Sequence, residues 1–246
     1  MNKSKINTKK NINKIKDDLK DLKISEIQNI LEIGAGKGDI ILGLNEHFNA
    51  KTLAVIEPSP EFSEILKKRG LKLIGSSYDS IDVKKNYSNY FDLIILRHVF
   101  EHLYDPLQAL VQISKLVKSE GYIYLSVPNI FLNDGNVSCH FSFPHISYFS
   151  KVTLKLLANK VGLNVIALSE FSDELSCLFC QRDNLNHSLV GTNKGKYKNY
   201  DEVYYYLSKN KNSVSLFFKR FKRIVSSLLP QKLIIRYLTT RLGNNG

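Results

Sequence analysis

Three glycines at alternate positions follow directly on a short apolar run, and they constrain the fold of this 246-residue chain more than any other feature. Ile30–Ile33 has the composition of a buried strand, and apolar residues at helical spacing begin at Ile40. Gly34, Gly36 and Gly38 lie between them. Glycine lets a backbone turn sharply and approach a ligand, and the start of a helix presents free amide groups. The segment therefore predicts a strand–turn–helix unit with a ligand site at the turn.

Strand and helix patterns alternate along most of the chain. Short runs rich in β-branched residues are separated by segments whose apolar residues lie three or four positions apart, which is typical of right-handed βαβ units and a parallel sheet. Residues 171–175 join the last two runs and are too few for a helical crossover, so we predict that this pair is antiparallel. After a helical N-terminal leader, the predicted strands are residues 30–33, 52–56, 71–74, 93–96, 122–127, 165–169 and 176–181, and the predicted helices include residues 61–69, 107–117 and 151–161.

The composition excludes several classes of protein. Apolar residues make up 43% of the chain and charged residues 24%, which are ordinary values for a globular domain. No uncharged apolar run approaches the roughly 18 residues that cross a bilayer. The basic N-terminus lacks the apolar core of a secretory signal, and three cysteines are too few for a disulfide framework. We therefore expect a cytoplasmic protein.

The net charge of +12 is concentrated at the two ends of the chain. Residues 1–30 carry +4 and residues 196–246 carry +9, whereas the stretch between them carries −1. A near-neutral body argues against a nucleic-acid partner, because a body built for that role would carry excess positive charge itself. Apolar residues from Phe217 to Leu228 form one stripe of a basic amphipathic helix. That helix could pack on its own body or a second copy in a homodimer, lie on an anionic membrane surface, or bind nucleic acid.

Five segments occur in an order that is typical of one enzyme family. In this chain they read LEIGAGKG (31–38), IEPS (56–59), YFDLIILRHVFEHLYDP (90–106), GYIYLSVPN (121–129) and HISYFSKVTLKLLANKVGLNVIAL (145–168). Together they resemble the class I S-adenosylmethionine-dependent methyltransferases, in the small-molecule branch often labelled type 11 or type 23. The resemblance covers about residues 25–182.

This resemblance implies an α/β fold, a Rossmann-like doubly wound sandwich with a seven-stranded, mostly parallel sheet whose last strand is antiparallel. It also implies S-adenosylmethionine as the cofactor and S-adenosylhomocysteine as its product. We divide the chain accordingly. Residues 1–28 form a basic helical leader, residues 29–182 the S-adenosylmethionine-binding domain, and residues 183–246 a linker with the basic amphipathic C-terminal segment.

The cofactor residues follow from the resemblance position by position. Glu57 also stands out from the residues alone, because a carboxylate at the end of the second strand can accept both hydroxyls of a ribose. Around the methionine part the resemblance places Glu32, Gly34, Ala35, Gly36 and Gly38. It places Glu57 at the ribose, Pro58 and Ser59 beside the adenine, Ser76 and Ser77 (with Asp79 offset) at the adenine amine, and Arg97 and His98 under the sulfonium.

Histidines supply the candidate catalytic groups. His98 ends the fourth strand, and His140 and His145 lie on a long loop over residues 129–149 that we expect to cover the substrate. A histidine can accept a hydroxyl proton near neutral pH, so we expect these three to be catalytic. Relatives with an E-x-x-E-H sequence bind a divalent ion there, which leaves a metal at His98, Glu101 and His102 as an alternative. The second alternative is that Glu101 and His102 pack against the loop without a metal. We expect a metal-free site.

The expected reaction is methyl transfer to an oxygen or nitrogen of a small polar acceptor. Relatives with a similar H-x-x-Y-F segment modify sugars or surface polysaccharide precursors, which favours a glycan precursor of a bacterial capsule, including O-methylation of a phosphoramidate group on it. We do not expect nucleic acid as the acceptor. The alternatives are an RNA or ribosome methyltransferase that uses the basic tail, and a non-catalytic protein that keeps the cofactor fold. Localisation is expected to be cytoplasmic, with contact to the inner face of the membrane through the C-terminal helix as a further option.

Overall fold

A computed structural model describes residues 3–22, 27–131, 145–171 and 173–181, together with Val203 and Tyr205. The chain divides into two compact units. The first comprises residues 1–129 and 146–197, and the second comprises residues 130–145 and 198–246. In the second unit the described residues are Ile130, Phe131, His145, Val203 and Tyr205, of which the last two are helical. The predicted amphipathic helix over 217–228 and the predicted catalytic residue His140 lie outside the described residues.

A seven-stranded sheet forms the centre of the first unit, with the strand order β3-β2-β1-β4-β5-β7-β6. Strands β1 to β5 are parallel to their neighbours, and β7 runs antiparallel to both β5 and β6. This confirms the predicted α/β fold with an antiparallel last strand. The strands are β1 Asn29–Ile33, β2 Thr52–Ile56, β3 Lys72–Gly75, β4 Phe91–Arg97, β5 Val117–Pro128, β6 Leu163–Phe171 and β7 Glu174–Gln181.

Six α-helices accompany the sheet among the described residues, and their ends are fixed by local chemistry. Ser80 and Asp105 cap two of them by accepting a hydrogen bond from a backbone N–H three residues on. Ser150 forms a capping box with Thr153, and Gly162 ends the same helix at φ +83°. The helices are α1 Lys3–Asp18, α2 Asp39–Phe48, α3 Pro60–Lys68, α4 Ile81–Asn86, α5 Pro106–Ser114 and α6 Lys151–Val161, and a short 3₁₀ helix covers Phe100–His102.

The predicted end of the helix before β5 is wrong. The helix expected over 107–117 ends at Ser114, because Lys115 donates its backbone N–H to Gln112 and closes the helix with a tighter turn. Val117 already belongs to β5 and pairs with Phe91 of β4. The apolar residues at the end of this segment therefore pack as part of a strand, which periodicity over so few residues does not distinguish from a helix.

The sheet is buried on both faces. Neighbouring residues of β4 alternate between two apolar clusters, with Ile94 and Leu96 in one and Leu93 and Ile95 in the other. Helices cover a parallel sheet on both sides, so its strands are apolar throughout instead of alternating with polar residues. Among the described residues no helix has both the length and the apolar content needed to span a bilayer.

The N-terminal helix α1 belongs to this packing. Ile15 and Leu19 are 1% exposed and pack into the same cluster as α2, which the apolar spacing of the leader predicts. Asp18 accepts hydrogen bonds from the hydroxyls of Tyr124 in β5 and Ser169 in β6, each at 2.8 Å. These contacts fix the helix against β5 and β6, and its Lys14 lies 3.6 Å from Glu174 at the start of β7.

Candidate functional site

The carboxyl ends of three neighbouring strands meet at one edge of the sheet. Ile33 at the end of β1 pairs with Ile56 of β2 on one side and with Leu96 of β4 on the other. The segments that begin at Gly34, Glu57 and His98 therefore leave the sheet side by side. In open α/β sheets ligands bind outside this edge, so the register of β1 brings the predicted cofactor residues together.

The glycine-rich turn has two packing glycines and one glycine that faces open space. All three have a positive φ, between +53° and +74°, which favours glycine. A Cβ on Gly34 would lie 2.3 Å from Val99, and one on Gly38 would lie 2.4 Å from Leu71. In the described part of the chain nothing lies within 4 Å of the place where a Cβ on Gly36 would be. The turn therefore needs glycine at its ends for packing and leaves room for a ligand in the middle.

Glu57 connects the first loop to the second. Its Oε2 accepts a hydrogen bond from the Gly36 N–H at 2.7 Å, and its Oε1 accepts one from the Ser59 N–H at 2.9 Å. The residue is only 6% exposed. A carboxylate oxygen has two lone-pair sites, so each oxygen of Glu57 can still accept a hydrogen bond from a hydroxyl of a bound ribose.

Glu32 is held away from the open edge. It is 3% exposed, and its Oε2 accepts a hydrogen bond from the Ile41 N–H in the first turn of α2 at 3.1 Å. Burial raises the pKa of Glu32 to about 8, so the side chain is largely uncharged at neutral pH. The described contact fastens α2 to β1 and thereby fixes the glycine-rich turn between them. Direct contact of Glu32 with the cofactor stays a prediction.

The predicted adenine residues lie at the same edge on the side of β3. The Glu57 N–H donates to the Gly75 carbonyl at 3.2 Å, so Ser76 and Ser77 leave the sheet beside the second loop. The Ser77 hydroxyl bonds the Asp79 carboxylate. Pro58 and Ser59 stand at the start of α3, with Ser59 as its N-cap. The structure thus brings these four predicted residues to one side of the glycine-rich turn.

At the end of β4, His98 lies between two carboxylates. Its Nδ1 is 3.2 Å from Glu101 Oε1, and its Nε2 is 2.7 Å from Glu174 Oε1. The Arg97 guanidinium donates to the same Glu174 oxygen at 2.5 Å. The backbone of His98 is left-handed, with φ +52°, and its N–H donates to the Ser126 carbonyl at 2.9 Å.

These contacts set the charges of the cluster. Burial lowers the pKa of His98, but its hydrogen bonds to Glu101 and Glu174 outweigh burial and raise the pKa to about 9. Burial raises the pKa of Glu174, but the bond from His98 and the charge of Arg97 outweigh it and lower the pKa to about 2. At neutral pH the ring is therefore positively charged and Glu174 is ionised.

Sequence reasoning missed Glu174. It begins β7 and lies 76 residues from His98, so no spacing within one segment indicates their contact. The resemblance did not mark it either, because its motifs end at residue 168. The only signal was an acidic residue in the hairpin loop that returns the chain to the edge of β5.

The remaining candidate residues are Glu101, His102, His140 and His145. Glu101 is 1% exposed, and its backbone carbonyl accepts hydrogen bonds from the N–H groups of Ile146 and Ser147. This joins the fourth-strand motif to the H-x-x-Y-F segment. His102 Nε2 lies 3.9 Å from Glu101 Oε1. His145 belongs to the second unit, so its catalytic role stays a prediction, as does that of His140.

Comparison with known proteins supports the motifs described above. Residues 7–168 match the family model Methyltransf_23, which describes a methyltransferase domain. An uncharacterized methyltransferase of Schizosaccharomyces pombe is 28% identical over 110 residues, which cover 41% of this chain and 40% of the yeast protein. The match therefore spans less than half of that relative's length.

Solved structures share the fold at low sequence identity. An S-adenosylmethionine-dependent methyltransferase from Aquifex aeolicus is similar with a TM-score of 0.54 and 19% identity, over 68% of this chain and 88% of that one. Another from Archaeoglobus fulgidus has a TM-score of 0.53 and 15% identity, over 68% and 93% of the two chains. An O-methyltransferase family protein from Burkholderia thailandensis has a TM-score of 0.56 and 12% identity, over 69% and 55%.

The charged cluster predicts how stability depends on pH. The pKa of His98 is about 9 in the folded protein, above its ordinary value of 6.5, so its contribution is fully present below pH 6.5 and is lost as the pH rises through 9. Denaturant unfolding between pH 6.5 and 9.5 should show a steeper loss of unfolding free energy in the wild type than in His98→Gln. His47→Gln, at an exposed histidine, is the control and should keep the wild-type slope. Equal slopes in the wild type and His98→Gln would contradict the charge assignment.

Proposed function

The chain belongs to the methyltransferase-domain family and is an S-adenosylmethionine-dependent methyltransferase, and we propose that it methylates an oxygen or nitrogen of a small polar acceptor. The observation that carries the proposal is one edge of the sheet, where three neighbouring strands end. The open space beside the Cα of Gly36, the Glu57 carboxylate and the His98 ring lie in the segments that follow these strands. A methyl donor bound beside Gly36 and Glu57 would lie next to the His98 ring.

The residues present fit the cofactor. The space before Gly36 is open, and Glu57 is fixed at the end of β2 with acceptor sites to spare. The glycine-rich turn would hold the methionine part, Glu57 the ribose hydroxyls, and Ser59, Ser76 and Ser77 the adenine side. When bound, S-adenosylmethionine supplies a methyl group on a positively charged sulfur, from which a nucleophile can take it.

His98 is the protein group that we place next to the acceptor. Its side chain is 36% exposed at the end of β4, whereas Arg97 and Glu174 beside it are 19% and 13% exposed. We propose that His98 positions or deprotonates the acceptor, with His140 and His145 assisting, and that no metal ion takes part. Orientation of a nucleophile in line with the methyl group supplies much of the catalysis in such a transfer.

The acceptor class that we propose is a sugar or glycan precursor of a bacterial surface polysaccharide or capsule, including a phosphoramidate group on such a glycan. The support is the H-x-x-Y-F segment at residues 145–149, through its similarity to relatives that modify sugars. The chain would then act in the cytoplasm, or at the inner face of the membrane if its C-terminal segment binds lipid. The charge of +9 on residues 196–246 favours RNA as the second candidate acceptor.

A screen for methyl transfer tests the acceptor. Purified protein is incubated with radiolabelled S-adenosylmethionine and with nucleotide sugars, capsule intermediates or RNA, with and without chelator. We expect label in a glycan precursor, and His98→Ala should lower turnover by about 10²–10⁴-fold if the ring acts as a base, with unchanged cofactor affinity. Label only in RNA, with binding that falls steeply as salt rises, would favour the second candidate. Loss of activity with chelator would contradict a metal-free site.

The open space before Gly36 predicts a selective loss of cofactor binding. A Cβ in Gly36→Ala would occupy that space, so calorimetry should show S-adenosylhomocysteine affinity reduced by about 5–150-fold, equivalent to about 1–3 kcal/mol of overpacking. Gly70→Ala is the matched control, because Gly70 also has a positive φ and an open Cβ position but lies in the turn between α3 and β3. Both variants carry similar backbone strain, and only Gly36→Ala should lose affinity. Equal affinities would show that the cofactor lies elsewhere.

Glu57 predicts a second loss of affinity with a different cause. Glu57→Ala removes the acceptor of two ribose hydroxyls, which should weaken S-adenosylhomocysteine binding by about 1–3 kcal/mol, or about 5–150-fold. Glu64→Ala, at an exposed α3 carboxylate paired with Lys67, is the control and should bind as the wild type does. Unchanged calorimetric affinity in Glu57→Ala would remove the ribose assignment.

A further inference from the structure

We propose that Glu174 is a positioning residue of the methyl-transfer site, which together with Glu101 holds the His98 ring between two carboxylates so that both ring nitrogens donate hydrogen bonds at neutral pH. His98 would then act on the acceptor through the positive charge of its ring and would not serve as the base. This inference rests on the proposed function, and it chooses between the two roles given there to His98.

The register of β7 brings Glu174 to the site. Glu174 pairs with Pro128 at the end of β5, beside the end of β4. Its Oε1 lies 2.7 Å from His98 Nε2, and its Oε2 accepts a hydrogen bond from the Ser126 hydroxyl at 2.9 Å. The Lys14 ammonium of α1 is 3.6 Å from Oε2. The carboxylate is therefore fixed by groups from three different elements and cannot turn away from the ring without breaking several bonds.

The second carboxylate, Glu101, bears on whether one or both nitrogens of the ring are protonated. Glu101 Oε1 lies 3.2 Å from His98 Nδ1, on the side opposite Glu174. A neutral imidazole has one N–H and one lone pair, so one of the two carboxylates would face a lone pair. Only the imidazolium donates to both. With both carboxylates ionised, this geometry favours the charged ring.

The other charged groups around the ring do not reverse this preference. Arg97 of β4 and Lys14 of α1 are positive, and both lie against Glu174. His102 of the 3₁₀ helix approaches Glu101 at 3.9 Å. In the part of the chain that the structure describes, the two carboxylates are the groups in hydrogen-bonding distance of the ring itself, and the pKa of His98, about 9, agrees with their dominance over burial and over the charge of Arg97.

The backbone of His98 supports a positioning role. A left-handed φ of +52° is rare for a residue other than glycine and persists where the surroundings fix it. Ser126 accepts the His98 N–H through its carbonyl and donates its hydroxyl to Glu174. One residue of β5 therefore holds both the backbone of His98 and the carboxylate that holds its ring. Strained residues of this kind concentrate at functional sites.

The test is a pH titration of the His98 ring by NMR on the full chain with ¹⁵N-labelled histidine. The chain has six histidines, and the His98 signal is the one absent from His98→Gln. We expect a wild-type midpoint near pH 9. Glu174→Gln keeps the shape of the side chain and removes its charge, and it should lower the midpoint by about one to three pH units. Glu101→Gln is the second variant and should lower it in the same direction.

Glu170→Gln is the matched control. Glu170 lies in β6, near the same hairpin, and its carboxylate bonds Asn129 and Lys151 in place of His98. In Glu170→Gln the His98 midpoint should equal that of the wild type. A wild-type midpoint near 6.5 would overturn the proposal. So would an unchanged midpoint in Glu174→Gln with a lower melting temperature, which would make Glu174 a structural anchor for Arg97.

A separate measurement distinguishes this inference from the proposed function. Calorimetric titration of the wild type with S-adenosylhomocysteine tests the proposed function independently of the His98 midpoint. Failure of the wild type to bind S-adenosylhomocysteine would contradict the proposed function and leave the His98 midpoint to decide the role of Glu174. A midpoint that stays at the wild-type value in both carboxylate variants would overturn the positioning role while cofactor binding stands.

Discussion

The parallel pairing of β1 with both β2 and β4 is the constraint on which the rest of the site depends. Because the three strands run in the same direction, with Ile33, Ile56 and Leu96 in register and β4 ending one residue later at Arg97, three loops leave the sheet next to one another. Each loop begins with a residue that the fold holds in place by backbone bonds. Gly34 donates to the Ile56 carbonyl at 2.8 Å, and His98 donates to the Ser126 carbonyl at 2.9 Å. A register slip of one residue would turn every apolar side chain of β1 to the other face and separate these loops.

Two carboxylates near this edge show how the environment assigns different states to one chemical group. Glu32 accepts a hydrogen bond from the Ile41 N–H, and burial keeps it largely uncharged at neutral pH. Glu174 has a cationic ring, a guanidinium and a hydroxyl as partners, and these keep it ionised although it is partly buried. The first can therefore hold α2 to β1 without placing a charge under the glycine-rich turn. Glu174 supplies the negative charge that pairs with His98 and Arg97 at the end of β4.

The sheet was predictable from sequence because its determinants are local. The apolar runs of β1, β2 and β4, the glycines after β1 and the short connection before β7 each act over a few residues. The position of Glu57 directly after a strand was predictable for the same reason. Helix α4 was not predicted, because Ile81–Asn86 has a single buried residue, Val83, and depends on its Ser80 cap instead of a periodic stripe.

The cluster around His98 could not be predicted, because it depends on pairing between distant segments. Nothing near His98 in the sequence indicates that a carboxylate 76 residues away will meet its second nitrogen. From the sequence alone, a histidine at the end of β4 has a pKa near 6.5 and suits a general base. The antiparallel return of β7 changes that expectation, because it adds a negative charge on the side that the local motif leaves open.

A charged His98 also bears on the chemistry of the acceptor. A nucleophile that loses its proton to His98 needs a neutral ring, and two carboxylates at 2.7 and 3.2 Å disfavour that form. An acceptor that arrives with an anionic oxygen would need no base, because that oxygen could take the methyl group that the cofactor supplies on its sulfur without any proton being transferred. The positive ring and Arg97 beside it would attract such an oxygen and orient it. Among the proposed glycan acceptors, a phosphoramidate oxygen meets this requirement, whereas a sugar hydroxyl would have to find its base elsewhere. In that proposal, the hydrogen bonds of Glu174 would connect the last strand of the sheet to the choice of substrate.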